Sequence, residues 1–171
     1  PDSPTKGEKY YFVGWFNQWF LNSISGYLKP LAQLWFLTGD DVCRHKALVL
    51  LDRFMEVYPD IDSNDLTYDG TDWGVYVKMT GSFWEGAVLL ELANAVEILA
   101  PSLDRAYLEK VESRIYRPAF DAYSRKPAGS NWGNNWNMAL AKFAAVTGSR
   151  AYLDFMLERH PSAEAPVLDN Q

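Results

Sequence analysis

Cysteine, histidine and long apolar runs are scarce in this sequence. Its 171 residues include one cysteine, Cys43, and two histidines, His45 and His160. A single cysteine excludes an internal disulfide framework and any multi-cysteine metal site, and two histidines are too few for a histidine-rich one. We therefore expect no metal and no other cofactor. Because no apolar run approaches the ~20 residues of a membrane-spanning helix, we also expect no membrane association.

Positive charge is in short supply as well. The chain has 16 Lys and Arg against 22 Asp and Glu, which gives a formal net charge of −6. A general nucleic-acid-binding protein needs a basic face to neutralise phosphates, so we expect no nucleic acid as a partner. No charged stretch followed by an apolar stretch opens the sequence, and we expect that any export signal has been removed or never existed.

Apolar side chains are abundant, and they recur with helical spacing along most of the chain. Hydrophobic residues make up 48% and charged residues 22% of the sequence, as in globular domains. The length fits one domain over residues 1–171, with 1–14 and 160–171 extended or frayed. The periodicity predicts six helices. They run from 16 past a kink at Pro30 to Gly39, from Asp40 to Pro59, from Ser82 to about Leu99, from 104 to 123 with a bend at Pro118, from about 130 to Gly148, and over 152–157.

A short internal repeat indicates how these helices are arranged. The sequence AQLWFLTG at 32–39 matches AKFAAVTG at 141–148, and in each case a helix ends at the Thr-Gly pair and another follows at once. Two such units with a helical hairpin between them indicate three stacked αα-hairpins. The fold class that we predict is therefore all-α.

Tryptophan and asparagine concentrate where three of these helices begin. Antiparallel hairpins make the first, third and fifth helices parallel, so their first turns share one end of the fold. Those turns read GWFNQW (14–19), GSFWEG (81–86) and SNWGNNW (130–136). Indole faces stack on sugar rings and amides bond to hydroxyls, so this end suits a carbohydrate. Its tryptophans are Trp15, Trp19, Trp84, Trp132 and Trp136, with Trp73 in the loop before the third helix, and its asparagines include Asn17, Asn131, Asn134, Asn135 and Asn137.

The ordinary alternative is that these tryptophans belong to the core. For Trp15, Trp19 or Trp84 taken singly, burial is the better interpretation, because large aromatic side chains are mostly buried. The run SNWGNNWN is different, since asparagine competes for backbone partners and makes a poor helix start. A segment that weakens local structure is more often a site than packing.

The joint LTGD at 37–40 and the segment SNWGNNWNMALAKFAAVTG, together with the long kinked aromatic helix, resemble the α/α-toroid polysaccharide lyases. The alginate lyase and heparinase II/III-like groups are the most similar. This resemblance implies a carbon–oxygen lyase that cleaves an acidic polysaccharide by β-elimination, and hence a secreted or periplasmic protein. Three hairpins amount to about half a toroid, so the chain is a fragment, a minimal arc, or a subunit completed by a neighbouring copy.

By position, the resemblance makes Asn135 the residue that neutralises the uronate carboxylate, with Asn134 or Asn131 assisting. Trp136 stands where better-known members have histidine, and tryptophan cannot abstract a proton. A tyrosine must then serve, and among Tyr68, Tyr76 and Tyr123 we select Tyr76. The substrate-binding set that follows is Asn131, Trp132, Trp136, Trp73, Trp84, Tyr68 and Asn17.

Two other classes of function stay open. A glycoside hydrolase on a toroid scaffold needs two carboxylates, and Asp69 with Asp72 is the candidate pair, in a group with Asp65 and Glu85. Glu85 is also explained by an S-x-x-E capping box with Ser82. A non-catalytic carbohydrate-binding module would use the same tryptophans without turnover. The run DIDSND at 60–65 starts like a calcium loop but lacks its glycine and its glutamate, which favours a plain turn.

Overall fold

The computed structural model describes residues 12–61, 82–125 and 130–159, and the side chains within 19–61, 84–125 and 133–158. In these ranges there are six helices and no strand, which confirms the all-α class. The helices are α1 (Phe12–Thr38), α2 (Asp41–Val57), α3 (Ser82–Leu99), α4 (residues 105–123), α5 (Ser130–Thr147) and α6 (Arg150–Arg159). Short 3₁₀ turns follow α2 at Tyr58–Asp60 and α3 at Ala100–Ser102. None of the described helices combines the length and apolar character needed to span a membrane.

The two joints of the internal repeat have the same local structure. Gly39 and Gly148 adopt φ angles of 71° and 73°, a left-handed conformation that glycine takes without steric cost. Their N–H groups donate to the carbonyls of Trp35 and Ala144, both at 2.7 Å. The threonine before each glycine donates its hydroxyl to the carbonyl four residues back, Leu34 or Phe143. The repeat predicted from sequence is therefore a repeat of structure, in the same register.

Proline acts differently in α1 and α4. α1 continues through Pro30 as one helix, as predicted. α4 consists of α-helical Arg105–Val111, a π-helical turn at Glu112–Tyr116, and α-helical Arg117–Tyr123. Pro118 lacks an N–H and its ring crowds the preceding turn, so the wider π-helical turn lies where a regular helix would be strained. The prediction placed a bend at Pro118, whereas the irregularity lies in the five residues before Arg117.

α3 is the central helix and packs against both α1 and α5. α2 packs against α1, α6 packs against α5, and the π-helical turn of α4 touches α2. The Tyr116 hydroxyl donates to the Leu89 carbonyl at 3.0 Å, and the Tyr116 ring stacks on Phe143 with centroids 3.8 Å apart. α4 therefore joins α3 and α5 through one buried tyrosine, and a single core runs through the six helices.

Contacts between helices also fix their directions. Arg53, near the end of α2, lies over the ring of Phe20 near the start of α1, and Tyr58 just after α2 bonds to Glu85 at the start of α3. α1 and α3 therefore begin at the same end of the fold. α3 and α5 are parallel too, because Gly86 lies against Trp136 while Glu97 pairs with Lys142 at 2.7 Å.

Candidate functional site

The beginnings of α3 and α5 meet at Gly86. A Cβ atom built on Gly86 would lie 2.7 Å from Cδ1 and 3.0 Å from Nε1 of Trp136, and 3.1 Å from Cβ of Asn135. The first separation is shorter than real Cβ contacts and the other two are tighter than most of them, so a residue with a Cβ would push α5 away from the α3 backbone. The asparagine segment of α5 is thereby held beside the first turns of α3. We call the surface formed by Trp84, Gly86, Asn134 and Asn135 the rim.

Trp136 belongs to the core and not to a sugar-binding surface. Its side chain is 0% exposed and stacks on Tyr123, with ring centroids 4.3 Å apart and an interplanar angle of 1°. One indole face is covered by Tyr123 and an edge lies on Gly86. The expectation that Trp136 stacks on a sugar ring is therefore corrected. Tyr123, one of the three tyrosines considered for proton transfer, is buried with it.

The side chains of the rim reach solvent, above the buried Gly86 backbone. Trp84 is 57% exposed, Asn134 is exposed and Asn135 is half-buried. Trp19 on α1, one residue before the Phe20 that marks this end of the fold, is 67% exposed. Two indoles and two amides are thus presented at the end where α1, α3 and α5 begin. Neither Trp19 nor Trp84 is therefore a core residue, which was the ordinary alternative for both.

Beneath the rim lies a carboxyl group that sequence reasoning assigned to the wrong environment. Glu85 was grouped with the loop acids Asp65, Asp69 and Asp72, yet its side chain is 0% exposed and accepts a hydrogen bond from the buried Tyr58 hydroxyl. Burial raises the pKa of Tyr58 well above its ordinary value of 10, and the adjacent Glu85 raises it further. The sequence did contain a signal for this buried pair. The apolar stripe of α2 continues to Tyr58, which places the Tyr58 side chain on the buried side of the helix.

Removing the Tyr58 hydroxyl should lower stability and change its pH dependence. Tyr58→Phe takes a donor from a buried carboxyl, which we expect to cost about 1–3 kcal/mol at neutral pH. The pKa of Tyr58 is raised in the folded state, so above pH 10 its hydroxyl ionises only in the unfolded chain. The stabilisation of the folded state by Tyr58 is therefore complete below pH 10 and is lost as the pH rises above 10. In urea unfolding above pH 10, the variant should lose stability less steeply than wild type, by about 1.4 kcal/mol per pH unit. Equal slopes would contradict a buried, neutral Tyr58.

Several predicted site residues fall where the structure gives no side chain. Five of them lie outside the described residues, namely Tyr68, Trp73, Tyr76 and the carboxylate pair Asp69 and Asp72. Other positions are on described helices, but their side chains lie outside the described set; these are Asn17 on α1 and Asn131 and Trp132 in the first turn of α5. Of the predicted set, the described structure seats Asn135 against Gly86 of α3 and leaves Trp84 and Asn134 exposed at the same end of the fold.

The described part of the chain offers no cluster of metal ligands, and the pocket at the end of α2 is not suited to an anion. No group of three His, Cys, Asp or Glu side chains that could hold a metal ion occurs among the described residues. A pocket at the end of α2 is lined by Arg53, Glu56 and Asp60 with two apolar side chains. Arg53 is paired with Glu56, so two carboxylates face one engaged guanidinium and the pocket disfavours an acidic ligand.

No family model matches the chain, and searches of curated proteins and of solved structures return no match either. The function must therefore be inferred from the residues of the rim and their geometry.

Proposed function

We propose that this chain is a polysaccharide lyase-like enzyme whose rim binds a uronic-acid polysaccharide. The observation that carries the proposal is the contact at Gly86, which seats Asn135 against the start of α3, at the end of the fold where Trp84 and Asn134 are exposed. We further propose that the three hairpins form an arc of an α/α toroid. The parallel packing of α1, α3 and α5 in sequence order supports that arrangement.

The amide groups of the rim suit a uronate carboxylate. Each asparagine side chain offers two N–H donors, and backbone N–H groups in the first turn of a helix add partial positive charge. Asn135 is proposed to neutralise the carboxylate and Asn134 to assist, with Asn131 one turn earlier on α5. Donors placed where charge develops typically account for a factor of about 10²–10³ in rate.

The proposed reaction is a β-elimination. A base removes the proton from C5, the electron pair forms the C4–C5 double bond, the C4–O4 bond breaks and O4 takes up a proton. Neutralising the uronate carboxylate makes the C5 proton more acidic, which is the role given to Asn135. Tyr76 stays our proposal for proton transfer. A tyrosine with a pKa near 10 needs a neighbouring positive charge or hydrogen-bond donor to act as a base.

Sugar stacking is assigned to the exposed indoles. Trp84 replaces Trp136 as the proposed aromatic platform at the end of the fold that carries Asn135, because it presents its ring to solvent. Trp19 extends that platform toward α1, and Trp132, Trp73, Tyr68 and Asn17 stay proposed contributors. An aromatic platform binds the apolar face of a sugar and leaves the ring's carboxylate for the amides.

The experiment is an incubation of the protein with alginate, heparan, chondroitin and pectin-type polymers, followed by absorbance of the unsaturated uronate product. We expect absorbance to rise with one of them, and Asn135→Ala to lower the rate about 10²–10³-fold. Asn94→Ala is the matched control, because it removes an amide from α3 about 12 Å along the helix from Gly86.

Absence of unsaturated product with every polymer, from folded protein, would contradict the lyase. New reducing ends without absorbance would indicate a hydrolase using Asp69 and Asp72. Saturable binding without any product would indicate a carbohydrate-binding module.

A further inference from the structure

The internal repeat relates α1 to α5, residue by residue. The matching joints after α1 and α5 fix the register, because Gly39 corresponds to Gly148 and Leu34 to Phe143 in sequence and in hydrogen bonding. Corresponding positions on α1 and α5 can therefore be compared for exposure.

One face is open on α1 and closed on α5. Tyr27 is 67% exposed and Leu34 48% exposed, with Pro30 exposed between them. Their counterparts on α5 are Trp136, Ala139 and Phe143, each 0% exposed. On α5 this face is covered by α3 and α4, through the contacts of Trp136 with Gly86 and of Phe143 with Tyr116. α1 carries the same face with no helix of the described structure over it.

The opposite face shows the reverse pattern. On α1, Ser25 and Ala32 are buried and Lys29 pairs with Glu91 of α3 at 2.9 Å. The counterparts on α5 are Asn134 and Met138, which are exposed, and Ala141, which is half-buried. Among the described helices, α1 therefore lacks a neighbour on the face that α3 and α4 cover in α5. Likewise, α5 lacks a neighbour on the face that α3 covers in α1.

The open face of α5 also has the form that α3 uses to receive a helix. α3 meets α5 along Gly86 and Glu97, with Leu90 and Ala93 between them on the same face. These positions are spaced by four, three and four residues and include two small side chains. α5 repeats that spacing on its open face and includes two alanines; the residues are Asn134, Met138, Ala141 and Ala145.

We propose that two copies of this chain associate reciprocally, with the open face of α5 in each copy seated on the open face of α1 in the other. Neither face carries a charge, because the single charged residue of α1, Lys29, and that of α5, Lys142, both pair with α3. Two such contacts close a symmetric dimer, in which every copy gains both missing neighbours. The inference comes from the repeat and does not rest on the lyase activity. Asn134 belongs both to the rim and to this face of α5, so in the dimer the rim of one copy adjoins α1 of the other.

The mass of the protein in solution tests this association. Sedimentation equilibrium should give twice the 19.5 kDa of the chain at micromolar concentration. Tyr27→Lys and Met138→Glu each place a charge in the proposed contact, and each should raise the dimer dissociation constant at least about tenfold. Val49→Lys is the matched control, since Val49 is 51% exposed on α2, outside both faces, and should leave the dimer unchanged.

Mixing the two variants separates a contact of α1 with α5 from a contact of either face with the same face of the other copy. The Tyr27→Lys chain retains an intact α5 face and the Met138→Glu chain an intact α1 face, so an equal mixture should recover a heterodimer through one unaltered contact. Circular dichroism confirms that each variant is folded. A monomeric wild type, a dimer insensitive to both substitutions, or a mixture that stays monomeric would each overturn the proposal; a monomer would mean that another segment or protein covers α1.

Discussion

Replacing Trp136 by alanine is expected to lower the free energy of unfolding by about 3–5 kcal/mol. The indole is fully buried, stacks on Tyr123 and lies directly on Gly86, so its removal leaves a cavity where α3, α4 and α5 meet. Removal of a residue that served mainly to bind sugar would instead lower the free energy of unfolding only a little. Urea unfolding followed by circular dichroism at neutral pH measures the difference.

Trp84→Ala is the matched control, because it removes the same side chain from the same end of the fold. With 57% of Trp84 exposed, we expect a change of no more than about 0.5 kcal/mol in stability. Polysaccharide binding should respond in the opposite way and weaken in Trp84→Ala. If the two variants lost stability equally, the division between a core tryptophan and a surface tryptophan would be wrong.

Gly86→Ala should destabilise the protein even though alanine is the better helix former. A Cβ at this position would lie 2.7 Å from the Trp136 ring and 3.1 Å from the Asn135 Cβ, so α5 must shift away from α3. Overpacking of this kind costs about 1–3 kcal/mol, more than the ~1 kcal/mol that alanine gains in helix propensity. We expect a net loss of stability in urea unfolding and, because Asn135 moves with α5, a loss of the proposed lyase activity.

Gly26→Ala provides the comparison in the same kind of helix. Gly26 is exposed in the middle of α1, and a Cβ there would have nothing within 4 Å. The propensity gain is then unopposed, and the variant should be about 0.5–1 kcal/mol more stable than wild type. A stabilised Gly86→Ala variant would show that α3 and α5 do not approach as closely as described.

Much of the fold was predictable because helical periodicity and end signals act locally. Asp40 was expected to cap α2 and accepts a bond from the Val42 N–H at 2.8 Å, and Gly39 was expected to end α1 and does so. The repeat at 32–39 and 141–148 also had a structural counterpart. The π-helical turn at Glu112–Tyr116 was not predictable, since the apolar stripe of α4 runs through it without a break.

The candidate site was harder to predict than the fold. Helix alternation correctly placed the first turns of α3 and α5 together, but it carried no information on which side of each turn faces inward. Trp84 and Trp136 both lie within the first two turns of their helices, yet one is exposed and the other buried. Gly86 decides between them, because the absence of a side chain on α3 admits the Trp136 ring. The environment of Glu85 was also predicted wrongly, because its partner Tyr58 lies far away in sequence, just after α2.

The exposed rim and the buried layer beneath it serve separate purposes in this account. Tyr58, Glu85, Trp136 and Tyr123 fix the relative positions of α2, α3, α4 and α5 at one end of the fold. Trp84, Asn134 and Asn135 are then held on that rigid layer with their polar and aromatic groups available to a ligand. Preorganised amides of this kind bind an anion at little cost in side-chain entropy.

Equilibrium binding of an acidic oligosaccharide, followed by tryptophan emission, tests the role of the rim most directly. Titration of the wild type should quench the emission to saturation, Trp84→Phe should remove much of that quench, and Asn135→Asp should weaken binding at least about tenfold by placing a carboxylate opposite the uronate. A neutral oligosaccharide of the same length should bind more weakly. Saturable quenching that both variants leave unchanged, or no quenching at all, would contradict a uronate site at the start of α3 and α5.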